Sequence, residues 1–193
     1  MVGRIPIPTL LVVVALPTFA QTQQPFAHRG LLSAAATIAP GWMLDQALTN
    51  IYVTGGFHLF LEDHVSLRGL AAWYIDEQQR SPLLDQNSRI SFGPYYHFTF
   101  GRADVALGFE PGVSFAQLRE PAGSDLSGST PVRVVPNTAF GASCTYYVWK
   151  YLHFFVEAHY LRSRYAGSSA GTLDLDELQA MAGLGWQVKV FGR

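Results

Sequence analysis

From Thr49 to Asp76 the chain reads TNIYVTGGFHLFLEDHVSLRGLAAWYID, two runs of alternating apolar and polar residues that meet at Glu62, Asp63 and His64. A period of two belongs to a β-strand with unlike faces, whereas a helix repeats near 3.6. The alternation shows two faces without saying which looks inward. That choice separates a soluble ligand-binding barrel from a barrel standing in a lipid bilayer.

The same alternation, bounded by turn residues, recurs along the chain. It predicts strands at 31–43, 49–61, 65–76, 88–100, 103–118, 134–149, 152–164 and 175–191. The fold class is therefore all-β, an eight-stranded antiparallel up-and-down barrel, and the facing argued below makes it a transmembrane β-barrel. Strands in globular proteins usually run to about 5 to 6 residues. Strands of this greater length suit a tilted crossing of a bilayer.

The connections sort by length. Short turns fall at Glu62-Asp63-His64, Gly101-Arg102 and Lys150-Tyr151, and longer polar links at Gln78 to Gln86, Glu120 to Arg133 and Tyr165 to Asp174. The link from Asp45 to Leu48 lies on the long-loop side although it is short. Short turns at one end and long loops at the other are the pattern of outer-membrane barrels.

Volume and solvation settle the facing. An eight-stranded barrel is only just wide enough for its side chains to fill. The polar face is rich in small residues (Gly56, Ala72, Gly93, Ala106, Gly108, Gly141), which suit a crowded lumen. The apolar face carries Leu107, Phe109, Phe115, Tyr160, Trp186 and Val188, among other bulky groups, and belongs outside against lipid. In water such a belt would exceed the few hundred Å² of apolar patch that soluble monomers tolerate, which counts against a lipocalin-like secreted binder of inverse facing. Trp42, Phe60, Phe100, Trp149, Tyr151, Phe154 and Trp186 lie near strand ends and are expected to form two interfacial girdles. Pro40, Pro94 and Pro111 fall inside strands, where bulges or kinks are expected.

The N-terminus has the layout of a secretory signal peptide: Arg4, an apolar run from Leu10 to Leu16, then Thr18-Phe19-Ala20. The run is too short to span as a helix. Cleavage after Ala20 gives a signal peptide at 1–20 and an outer-membrane barrel domain at 21–193, and would send the chain to the cell outer membrane. Twelve basic against fourteen acidic residues then remain, a balance that implies no nucleic-acid partner. Cys144 is the one cysteine, so the fold holds without an internal disulfide. Charged residues make up 14% of the chain, well below the roughly 25% of soluble domains, with 13% aromatic residues and 18 glycines.

With these strands, the signal peptide and the glycine-rich last strand LDELQAMAGLGWQVKVF, the chain resembles the small bacterial outer-membrane barrels of the outer-membrane protein A and X type. The resemblance is one of pattern over the whole mature chain. It implies outer-membrane lipid and lipopolysaccharide as surroundings and the barrel-assembly machinery as a partner in biogenesis. Members of the family commonly end on an aromatic residue; here Phe191 is followed by Gly192 and Arg193.

Polar residues on the lumen parity are Glu62, Arg68, Asp76, Arg89, Asp104, Glu110, Glu157, Glu177 and Lys189, with His58, His97, His153 and His159. Glu110, Glu157 and His159 share a mid-barrel depth and are expected to join Arg68 or Arg89, with Asp104, in a polar network that plugs the lumen. His153 and His159 lie about 20 Å apart on one strand at ~3.3 Å per residue, too far to share a metal ion. No metal site or cofactor is implied.

The stretch HYLRSRYAG from His159 to Gly167 invites comparison with an outer-membrane lipid A deacylase, with His159, Ser163 and Glu177 as the catalytic candidates. That family's His-x-Ser spacing is missing, and its site faces lipid. The expected function is a structural or surface-interaction role carried by extracellular loops, with an unidentified extracellular ligand. The alternative is a lipid-modifying enzyme or a carrier of small apolar molecules. Whether 21–30 plugs the mouth of the barrel is left open by the residues alone.

Overall fold

A computed structural model describes residues 26–46, 48–75, 84–119, 130–168 and 171–192. The expected signal peptide at 1–20 and most of the 120–133 loop lie outside these residues, as does Asp76. The strands are β1 (Leu31–Met43), β2 (Thr49–Glu62), β3 (Val65–Ile75), β4 (Leu84–Phe100), β5 (Ala103–Leu118), β6 (Arg133–Trp149), β7 (Leu152–Ser168), β8 (Gly171–Asp174) and β9 (Glu177–Lys189). Each of β1 to β7 pairs with its sequence neighbour, and β9 pairs with both β1 and β7, which closes eight antiparallel strands into a barrel. Closure pairs backbone groups strand to strand around the wall, the condition for crossing hydrocarbon. Among the described residues no helix is long and apolar enough to cross a membrane.

The largest differences from the boundaries read in the sequence fall at the long-loop end. β4 starts at Leu84, inside the expected loop, because Leu84 is fully buried and its strand pairs with β5 as far as Leu118. The expected loop at 165–174 is instead a hairpin: β7 continues to Ser168, and β8 folds back with Tyr165 opposite Leu173. Burial of Tyr165 among Tyr52, Tyr74 and Leu175 offsets the weak strand preference of the Gly-Ser sequence. The eighth wall strand accordingly begins at Glu177 rather than at 175.

The prolines do not make bulges. The β4–β5 register is the same on either side, Ser91 opposite Gly112 and Tyr95 opposite Gly108, while the pairs between them are missing. Pro94 and Pro111 lie in or beside that interval, and neither has an N–H to give. A second interval without pairs separates Ala35–Gly185 from Gly41–Gln179 on β1 and β9, and Pro40 lies within it. There the Thr37 hydroxyl donates to the Ala182 carbonyl across 2.8 Å. The actual register shifts fall at Phe60/Glu62, Leu84/Gln86, Tyr147/Trp149 and Tyr165/Ser168, near strand ends.

The faces divide as the bulk argument requires. Trp73, Phe92, Leu107, Phe140, Val156, Leu184 and the free Cys144 point outward and are exposed, while Tyr52, Tyr95, Arg68 and Glu110 point inward and are buried. A Cβ on Gly108 or Gly141 would run into the ring or hydroxyl of Tyr95, so these glycines make room for a large side chain in a narrow lumen. Of the expected girdle, Trp42, Phe100, Trp149, Tyr151, Phe154 and Trp186 are exposed, but Phe60 is not. Phe60 shares the inward parity of His58 and is fully buried against Ala27, Leu31 and Tyr147.

Candidate functional site

The lumen is filled in layers. At the short-turn end the segment before β1 folds into the mouth: Phe26 stacks on Tyr147 with centroids 5.6 Å apart, Gly30 N–H donates to the Phe60 carbonyl (2.8 Å), and Arg29 N–H donates to Asp63 (2.9 Å). Residues 26–30 thus cap the barrel from below. At the long-loop end Met43, Tyr74, Leu118, Val135, Tyr165 and Leu175 form an apolar cap. Two networks of charged and polar side chains lie between the caps.

The lower network centres on Arg68 of β3. Its Nη1 donates to Glu110 Oε1 of β5 at 2.7 Å, its Nη2 to Glu157 of β7, and its Nε to His58 Nε2 of β2 at 3.1 Å. Glu110 also accepts from the Ser91 hydroxyl (2.7 Å) and from Tyr95. His159 sits between the carboxylates, 3.2 Å from Glu157 and 3.4 Å from Glu110. Asp104 is placed lower, where its Oδ2 is 2.7 Å from His97 Nδ1.

The upper network is separate. Arg89 of β4 donates to Glu177 of β9 at 2.9 Å and to Gln179. Tyr52 (2.7 Å) and Asn50 (2.9 Å) complete the coordination of Glu177. Each network joins strands that are distant in sequence, so together they pin the walls of the barrel against one another. Buried charges persist only when paired in this way.

All six expected network residues (Arg68, Arg89, Asp104, Glu110, Glu157 and His159) are buried, but they do not form one cluster. Glu62 and Lys189, also expected in the lumen, are exposed at the rim, because the strands project past the lumen at the short-turn end. The catalytic candidates His159, Ser163 and Glu177 are not brought together. His159 belongs to the lower network and Glu177 to the upper, while the Ser163 hydroxyl donates to the Pro136 carbonyl. Ser66, Ser91, Tyr52, Tyr95 and Gln179 were not singled out in the sequence. Their inward parity was the one available signal; their cross-strand partners come from the register.

Among the described residues no group of three or more His, Cys, Asp or Glu side chains has a metal-holding arrangement. The cavity beside His58, Arg68, Glu157 and Thr37 measures about 30 Å³, room for a water or two.

No protein-family model and no curated protein matches the chain. Solved structures do. The outer-membrane protein OprG of Pseudomonas aeruginosa superposes with a TM-score of 0.64 at 14% identity, covering 86% of this chain and 99% of OprG. Neisserial surface protein A gives 0.57 at 12% identity, over 82% of this chain and 96% of its own. Ail, the attachment invasion locus protein of Yersinia pestis, gives 0.54 at 14% identity, over 83% and 99%. The chain has the fold of the small eight-stranded outer-membrane β-barrels.

Proposed function

We propose that the chain is an integral outer-membrane protein whose barrel is a rigid platform and whose long loops carry a structural or surface-interaction role. The observation that carries this reading is the outward belt, in which bulky apolar side chains on every wall strand stand exposed around a closed sheet. Monomers in water do not tolerate so large an apolar surface. Lipid and lipopolysaccharide are its natural solvent, the short-turn end faces the periplasm, and the barrel-assembly machinery inserts it. The lumen offers no path for a carried molecule, since it is packed with ion pairs and capped at both ends. The loops at the opposite end, above all Glu120 to Arg133, are then the surface left for a partner, because a rigid scaffold commonly displays its binding residues there.

The test is to express the chain with its N-terminal segment, isolate outer membranes, and compare boiled with unboiled samples on a detergent gel. A membrane-resident band that migrates faster unboiled supports the reading. A soluble periplasmic protein with no mobility shift would overturn it. Replacing 121–129 with a short Gly-Ser turn should leave that shift unchanged while removing any binding of the protein to cell surfaces or polysaccharide.

A further inference from the structure

Ser66, His97 and Asp104 lie on three adjacent strands at the short-turn end of the lumen. Ser66 on β3 is the cross-strand partner of Tyr95 on β4, two residues before His97; His97 is opposite Ala106 on β5, two residues after Asp104. The Ser66 hydroxyl oxygen is 2.8 Å from His97 Nε2, and His97 Nδ1 is 2.7 Å from Asp104 Oδ2. His58 Nδ1 approaches the same hydroxyl at 3.0 Å.

The ends of this chain fix the direction of its protons. Arg68 has only donors, so its Nε–H makes His58 Nε2 an acceptor and leaves the His58 proton on Nδ1, aimed at Ser66. The Asp104 carboxylate has only acceptors and holds the His97 proton on Nδ1. Ser66 therefore accepts from His58 and donates to the bare Nε2 of His97. A hydroxyl aimed at an imidazole that a carboxylate orients is the arrangement of an activated nucleophile.

We propose that Ser66, His97 and Asp104 form an acyl-transfer site at the short-turn mouth of the barrel, acting on small uncharged carboxylic esters. The approach is apolar: the ring centroids of Phe60 and His97 are 4.4 Å apart, with Ala27, Leu31 and Tyr147 around Phe60. Ser66 Oγ adds to the ester carbonyl carbon as its proton passes to His97 Nε2. His97 gives that proton to the departing alkoxide, leaving acyl-Ser66. Water then adds to the acyl carbon, its proton going to His97, which returns it to Ser66 Oγ as the carboxylic acid leaves. His58 Nδ1–H, 3.0 Å from Ser66 Oγ, is a hydrogen-bond donor beside the reacting centre.

Ser66 is fully buried, so entry requires Phe60 and the capping segment to give way. The experiment treats the folded, detergent-solubilised barrel with a fluorophosphonate probe and maps the adduct by mass spectrometry. It compares the unaltered protein with Phe60→Ala and, on the cap, Phe26→Ala, with gel mobility reporting the fold of each. The expected result is labelling of Ser66, faster in the opened variants, abolished by Ser66→Ala and slowed about 10²-fold or more by His97→Gln. Opened variants that keep the folded mobility yet show no more label than Ser66→Ala would overturn the proposal, as would label on any other residue. Either result leaves the membrane role standing, since that rests on the outward belt.

Discussion

Arg68 and Glu110 meet at 2.7 Å in the lumen, from strands β3 and β5, with side chains 3% and 0% exposed. Arg68 also holds Glu157, so one guanidinium ties together three walls of the barrel. Replacing a buried ion pair with well-packed apolar groups is often neutral, but removing one partner leaves a charge stranded.

Arg68→Met should therefore destabilise the barrel by about 3 to 5 kcal/mol. Adding Glu110→Gln and Glu157→Gln should recover much of that loss. Urea unfolding in lipid vesicles, followed by tryptophan fluorescence, measures both. A triple variant no more stable than Arg68→Met alone would show that the pairing does not limit stability.

Among the described residues the upper and lower networks share no hydrogen bond, Arg89 serving Glu177 while Arg68 serves Glu110 and Glu157. Losses from Arg68→Met and Arg89→Met should then add to within about 0.5 kcal/mol, whereas Arg68→Met and Glu110→Gln should couple strongly. A full double-mutant cycle on each pair decides this. Strong coupling between the two arginines would mean that the layers act as one.

Val156 points outward on β7 between the exposed rings of Phe154 and Tyr160, and pairs with Cys144 and Ala182. An arginine at that depth faces hydrocarbon, so Val156→Arg should cost about 2 to 4 kcal/mol. Lys150→Arg, in the short turn beyond the belt, should cost nothing measurable. Equal stability of the two variants in vesicles would argue against a lipid-facing belt at this position.

Gly141 has no room for a side chain, since a Cβ would run into the Tyr95 hydroxyl and come within 2.9 Å of His159. Gly141→Ala should cost about 1 to 3 kcal/mol by overpacking. Combined with Tyr95→Phe, which removes the obstructing oxygen, it should cost less than the sum of the two single changes. Strict additivity in the unfolding free energies would show that Tyr95 is not the obstacle.

Period-two alternation, sustained through eight long runs, determined the strands, their order and the outward belt, because each residue's face follows from parity alone. The small residues of the inward face, Gly108 and Gly141 among them, disclosed a crowded lumen for the same reason. The ends of strands were less legible. Leu84 and Tyr165 sit among Pro, Ser and Gly residues that read as loop, and their place in the sheet depends on distant apolar partners across the barrel. Parity also put Arg68, Arg89, Glu110, Glu157 and Glu177 inside without saying who meets whom. Depth along a tilted strand and the register between neighbours decide that Arg68 takes Glu110, that Arg89 takes Glu177, and that Ser66 lies against His97. Those quantities arise when the sheet closes, because closure fixes stagger and tilt for all strands together.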